Sequence, residues 1–192
     1  MFKDNKFQKM TTIVFCHPWH GSFNKAILDT ITTKFEQENK AYQVIDLPKD
    51  KFDPTYSEAE LSFYNQGKAI DPLVTKYQEM ISNSNGMIFI YPIWWGTMPA
   101  ILKGFFDKVL LRDYAFNYNN GWTPLLKIGK STVITTSESP SANFKPFVQD
   151  YFIPQMLYSV GINNATWLSC EHVTSGTDEM RKEFLEKVKM AV

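Results

Sequence analysis

An α/β fold, with a parallel sheet covered by helices on both faces, is predicted by three features of the sequence. Short runs rich in β-branched and aromatic residues alternate with stretches of helical period, the signature of β-α-β units. The third run, MIFIY at 87–91, is wholly apolar, as expected of a strand buried on both sides. The chain has 192 residues, 44% of them hydrophobic, enough to bury one domain and short for two.

The elements follow in order. TIVF at 12–15 reads as a strand that runs into the loop HPWHG. From Asn24 onward Ile27, Ile31 and Phe35 recur every four residues and mark one face of a helix. YQVIDL at 42–47 is a second strand. Residues 48–70 are irregular, with a short helix expected over 57–64. Leu73, Tyr77, Met80 and Ile81 form the apolar face of another helix. After the strand at 87–91, Pro99 suits the first turn of a helix, where a missing N–H costs nothing. Leu102, Phe105, Phe106, Val109 and Leu110 line that helix. A long loop at 111–129, rich in Asn and aromatics, leads to a fourth strand, STVITT at 131–136. A helix over 144–158 is expected to kink or break at Pro154. ATWLS at 165–169 is the fifth strand. The stretch from Ser175 to Asp178 resembles a capping box for a last helix carrying Met180, Phe184 and Val188.

Composition narrows the function. Twenty basic and twenty acidic side chains cancel, so no overall field draws the chain toward nucleic acid or an anionic membrane. No apolar run reaches the ~18 residues of a membrane-spanning helix, and MFKDNKFQKM at the start lacks the apolar core of a signal peptide. Residues 1–10 read as a polar lead-in to one domain spanning 1–192. Two cysteines without metal-type spacing suit a reduced, cytoplasmic protein. The aromatic share, 15%, points either to a flat ligand or to a dense core.

Ligands of open parallel sheets sit at the carboxyl ends of the strands, which directs attention to three loops. The first, Cys16 to Asn24, feeds a helix N-terminus, where unpaired N–H groups and the helix dipole favour phosphate. Ser22, Asn24 and His17 add donors, although Ser22 can equally be a simple helix cap. Neither the dinucleotide G-x-G-x-x-G nor the P-loop pattern is present, since Gly21 stands alone. His17 and His20, three apart in a loop beside Cys16, lack a third ligand at fixed spacing for a metal. Cys16 and His17 would also point to opposite sides of a strand end, which spoils a nucleophile–base pair. The second loop, YPIWWGTMP at 91–99, offers indole faces beside Gly96, either as a flat slot or as packing at the sheet edge. The third, Thr135 to Glu138, supplies small polar groups to the same edge.

Three segments carry a resemblance to a known family. HPWHGSFNKAI at 17–27 resembles a helix-opening H-x-x-x-x-S-F-N loop. FIYPIWWGTMPAILKGFFDKVL at 89–110 is close to an F-P-L-x-W-x-x-x-P-A-x-L-K-G-x-x-D-R-V block. DYAFNY and VITTSES fall where G-x-A-Y and T-T-G-G are expected. On these the sequence is similar to the flavodoxin-like NAD(P)H:quinone oxidoreductases, a group that includes DT-diaphorases, modulator-of-drug-activity reductases and ancillary subunits of potassium efflux systems. The resemblance implies a five-stranded parallel sheet of order 2-1-3-4-5 and a bound flavin, FMN rather than FAD. It implies that His17, Ser22, Phe23 and Asn24 hold the flavin phosphate and ribityl chain. Pro92, Ile93, Trp94, Trp95 and Gly96 would line the ring, with backbone N–H groups toward it, and Thr135, Thr136, Ser137 and Glu138 would meet its pyrimidine edge. Phe116 and Tyr118 would reach the substrate pocket of the second subunit of a homodimer. Ser137 and Glu138 depart from the family by replacing two glycines.

The implied activity is ping-pong transfer of two electrons from NAD(P)H, through flavin N5, to a quinone or similar small acceptor. No catalytic side chain is required, because the cofactor carries the chemistry. Arg112, Lys127 and Lys130 are candidate contacts for a nicotinamide 2′-phosphate. The alternative is a non-enzymatic flavoprotein, either an electron carrier or a regulatory subunit of a transporter. Zero net charge counts against a carrier.

Overall fold

The structure, a computed structural model, describes residues 10–192. The expected polar lead-in therefore lies, except for Met10, outside the described residues. Five parallel strands form the sheet: β1 (Thr11–Phe15), β2 (Tyr42–Asp46), β3 (Gly86–Pro92), and two that follow a short hairpin, β6 (Lys130–Thr136) and β7 (Ala165–Cys170). Their spatial order is β2-β1-β3-β6-β7, which is 2-1-3-4-5 when the sheet strands are counted along the chain. The direction of winding reverses between β1 and β3, so the loops after these two strands border the crevice.

Register assigns each side chain to a face. Ile13 and Phe15 of β1, Ile88 and Ile90 of β3, and Ile134 of β6 meet helix α1 (Phe23–Gln37) and the last helix, α6 (Asp178–Ala191), through Ile27, Ile31, Phe184 and Val188. Val14, Phe89, Tyr91 and Val133 face the other way, onto α3 (Pro72–Ser82) and α4 (Ala100–Val109). There Phe89, Phe105, Phe106 and Phe152 pack edge to face or tilted, with centroids 5.3–6.1 Å apart. Much of the aromatic content is this core.

Several local expectations need correction. The helix expected over 57–64 is shorter: α2 (Glu58–Ser62) starts at a capping box between Ser57 and Glu60 and passes into a 3-10 turn at Tyr64–Gln66. Pro99 is the N-cap of α4 and not a residue of its first turn. The 111–129 segment is no plain loop, because Phe116–Asn117 (β4) and Thr123–Pro124 (β5) pair as a short antiparallel hairpin. Pro154 neither breaks nor ends its helix. A short α5 (Lys145–Phe147) widens into a π-helix over Val148–Leu157, whose longer hydrogen-bond spacing accommodates a residue without an N–H. The last helix is capped by Thr177, whose hydroxyl accepts from Met180 N at 3.2 Å, and not by Ser175.

One buried cation organises residues 48–71. Lys108, 3% exposed, donates to the carbonyls of Asp53 and Thr55 and pairs with Glu60 at 2.8 Å and Asp71 at 3.5 Å. Its ammonium also lies over the Phe52 ring. Burial opposes ionisation of Glu60, but hydrogen bonds from Lys108 and Ser57 outweigh it and hold that carboxyl below its usual range.

Candidate active site at the carboxyl edge of the sheet

The loop after β1 is tied down on both sides. Ser22 caps α1 by accepting from Lys25 N at 3.3 Å, and Phe23 packs on Phe184 of α6. His20 Nε2 donates to Asp46 at the end of β2, 2.9 Å away. The indole of Trp19, 67% exposed, lies on Gly21 so closely that a Cβ there would stand 2.4 Å from it. His17 Nδ1 lies 3.1 Å from both Trp19 N and Trp19 O, and the ring tautomer sets which of the two it bonds. Burial lowers the pKa of His17, favouring the neutral ring. Cys16 is enclosed, and burial pushes its thiol up to about 12, so it is no nucleophile.

Asn24 reaches across the crevice. It is 3% exposed, and Nδ2 donates to Thr136 Oγ1 at the end of β6, 2.8 Å away. Its Oδ1 is buried and has no partner among the described residues. Such an acceptor costs stability unless a donor completes it.

The loop after β3 is a tight turn. Trp94 N donates to Thr97 O at 3.0 Å, and Thr97 N returns to Trp94 O at 3.2 Å. Trp95 and Gly96 form its tip with φ of 51° and 80°, as a type I′ turn requires. Ile93 N is taken by Thr136 O at 2.8 Å. The expected row of ring-facing amides is thereby reduced: Ile93, Trp94 and Thr97 spend theirs inside the protein, and those of Trp95 and Gly96 remain. The Trp95 side chain is fully exposed and that of Trp94 nearly half exposed, with Trp94 edge-on to His17 at 6.0 Å. The first and second loops therefore meet.

Beyond β6 the side chains are already engaged. Thr135 is fully enclosed between Ser169 and Trp167, with bonds of 3.1 and 2.9 Å, so its side chain is closed to a ligand. Ser137 Oγ donates to Ser139 O, and Glu138 turns toward the loop after β7. Only Thr136, through Asn24, joins the crevice by its side chain.

Phe116 is buried and stacks on Trp122, with centroids 4.1 Å apart and planes 8° off parallel. Tyr118 stands edge-on to both and is exposed. Sequence reasoning passed over Trp122, which nothing but its place between two aromatics and β5 would have signalled. Arg112 lies 5.8 Å from the Tyr118 ring. Lys127 and Lys130 stand elsewhere. They line a cavity of about 640 Å³ at the amino edge, where β1, β3 and β6 begin, and Lys130 Nζ donates to Ala191 O. A seven-residue strand separates Lys130 from the carboxyl edge, roughly 20 Å. Neither lysine can serve a nicotinamide bound there.

A doubly wound parallel sheet with a helix N-terminus, an aromatic turn and an unmet buried acceptor at its switch point defines a cofactor-binding α/β protein. Residues 9–191 match the model of the flavodoxin-like fold family, and the chain belongs to that family. Its curated relatives include an uncharacterized NAD(P)H oxidoreductase of Haemophilus influenzae, 30% identical over 182 residues, covering 91% of this chain and 89% of that protein. Ribosyldihydronicotinamide dehydrogenase [quinone] of Mus musculus is 24% identical over 73% of this chain and 72% of its own length. Among solved structures, the NAD(P)H:quinone oxidoreductase of Methanothermobacter marburgensis superposes with a TM-score of 0.84 at 26% identity, covering 96% of this chain and 97% of that one. No helix among the described residues is long and apolar enough to cross a membrane.

Proposed function

We propose that this chain is a flavin-dependent NAD(P)H oxidoreductase that reduces a quinone or a similar flat, electrophilic acceptor. The observation that carries the reading is the convergence at one crevice of the α1 N-terminus, the unmet Asn24 acceptor and the exposed indoles of the Trp94–Thr97 turn. A helix N-terminus takes phosphate, an amide oxygen takes a hydroxyl donor, and indole faces take a flat ring. Phosphate, polyol and ring in sequence describe FMN, and no further surface for an adenosine is needed.

Bound flavin would supply two-electron exchange between nicotinamide and acceptor, each using one slot in turn. The protein's own contribution is placement. Ser22 and the first-turn amides of α1 orient the phosphate end, with the His17 ring in the same loop. The Asn24–Thr136 hydrogen bond fixes the width between α1 and β6. Trp94 and Trp95 exclude water from the ring and present stacking faces to whatever binds above it.

The test is direct. Purified protein should be yellow, or take up one FMN per chain, and oxidise NAD(P)H with free quinone in the absence of any protein partner. Replacing Ser22 and Asn24 together by Ala should weaken flavin binding by tens to about a thousandfold, the worth of one charge-assisted and one neutral hydrogen bond at roughly 2–4 kcal/mol in total. Absence of flavin uptake by the parent sinks the reading. Uptake without quinone reduction would move the assignment to a regulatory flavoprotein.

A further inference from the structure

The two loops at the far side of the crevice are joined by a pair of carboxylates, each reaching from one loop to the other. Glu138, in the loop after β6, accepts from Thr174 N at 3.0 Å, Thr174 Oγ1 at 2.5 Å and Ser175 N at 3.2 Å, all in the loop after β7. Glu171, at the end of β7, reaches back and accepts from Ser141 N at 2.8 Å and from the Ser141 hydroxyl. Between them the backbone ladder runs past the strand ends: Ser137 N donates to Cys170 O at 2.9 Å, and Val173 N donates to Ser137 O at 3.0 Å. On the outer side Arg181 of α6 holds the same loop through the carbonyls of Val173 and Gly176, at 2.9 and 3.0 Å.

The placement of these bonds is specific. β7 is the edge strand, so a side chain of residue 138 bound to 174 and 175 points away from the β1/β3 crevice. Ser137 is diverted as well, onto Ser139 O. Two side chains that could obstruct the approach of a ligand to this segment are thus turned aside, while the Ser137 N–H and C=O are themselves taken by Cys170 and Val173.

We propose that Glu138 and Glu171 are positioning residues, a reciprocal clasp that holds the 137–141 segment back so that its main chain, and not its side chains, borders the flavin site. The clasp rests on the flavin reading above. It supplies by hydrogen bonding the backbone access that a pair of glycines would supply by having no side chain. Hydrogen bonds from Ser175 and Thr174 keep the Glu138 carboxyl ionised down to about 2, so the clasp is closed throughout the physiological range.

The experiment measures amide hydrogen exchange at Ser141, Thr174 and Ser175 together with the FMN dissociation constant, in the parent, Glu138→Ala, Glu138→Gln and Glu171→Ala. Both Ala variants should lose protection at the amides they serve and bind FMN at least tenfold more weakly. Glu138→Gln, which keeps the shape and one acceptor oxygen, should fall between parent and Ala. Unchanged protection overturns the clasp. Lost protection with unchanged FMN affinity overturns its role at the site, because a merely structural bond would alter exchange alone. A parent that protects these amides yet binds no flavin overturns the functional reading and the clasp's purpose together, and the parent measurement alone identifies that case.

Discussion

Trp95 holds φ at 51°, in the left-handed region where a bulky side chain crowds the following carbonyl, and its indole is fully exposed. Such a residue costs about 1–2 kcal/mol and gains nothing from burial in return. The type I′ turn prefers Asn at this position, before Gly96. Trp95→Asn should therefore stabilise the protein by about 1 kcal/mol, a rise in Tm of roughly 2–4 °C, while the KM for the acceptor increases. A melt showing no gain would mean that the indole packs on something that offsets the strain. Glu138 gives the second prediction at this scale. Its carboxyl titrates near 2 in the folded protein against an ordinary value of 4.5. The unfolded chain therefore takes up the proton first as pH falls. The contribution of Glu138 is full above about 4.5, shrinks between 4.5 and 2, and is gone below. Thermal melts of the parent and Glu138→Gln should differ at pH 6 and converge toward pH 2.

At the scale of elements, the sheet strands and main helices were legible because each carries its own period. The apolar β3 run and the four-residue spacing in α1 need no knowledge of their partners. The short helix inside the 48–71 segment was legible, but what holds the segment was not, because its organising group is Lys108, some forty residues further on and in sequence one more lysine of α4. Side-chain direction was equally hidden. Thr135 and Thr136 are neighbours with similar chemistry, yet the strand pleat sends one into the sheet and the other to Asn24. The same limit applies to Glu138, whose course depends on a loop placed by β7. Lys108→Met should make the cost of the hidden network visible. It leaves Glu60 and Asp71 without their cation, and these retain some contact with water, so the loss is about 3 kcal/mol, the lower end for a broken buried pair. Tm should fall by roughly 6–12 °C. Proteolytic cleavage should appear first within 53–71. An unchanged melting curve would make Lys108 a bystander in that segment.

For the whole molecule, three indoles, of Trp19, Trp94 and Trp95, stand exposed in the loops at the carboxyl edge and call for a cover. Phe116 cannot be the roof of its own subunit or of another through its stacked face, which Trp122 occupies. Tyr118 and Trp122 are exposed beside it, and Trp122 Nε1 is anchored by a hydrogen bond to Ser159 O at 2.6 Å. The hairpin therefore presents an anchored aromatic tip, bordered by a cavity of about 450 Å³ lined by Leu110, Phe116, Trp122 and Met156 among others. The family resemblance implies that such a tip would act as a lid for a second copy related by a two-fold axis, and substitution of its rings tests that expectation. Stacking contributes about 0.5–1.5 kcal/mol per ring beyond burial, so Tyr118→Leu should raise the apparent constant for the acceptor a few-fold to tenfold with flavin content unchanged. Phe116→Leu, which empties part of the Trp122 stack, should instead lower Tm and leave that constant nearer the parent's. The two variants separate a lid from a local core, and sedimentation fixes the frame in which either operates. Full quinone reductase activity from a chain that sediments as a monomer would rule out the shared site, whatever the substitutions do.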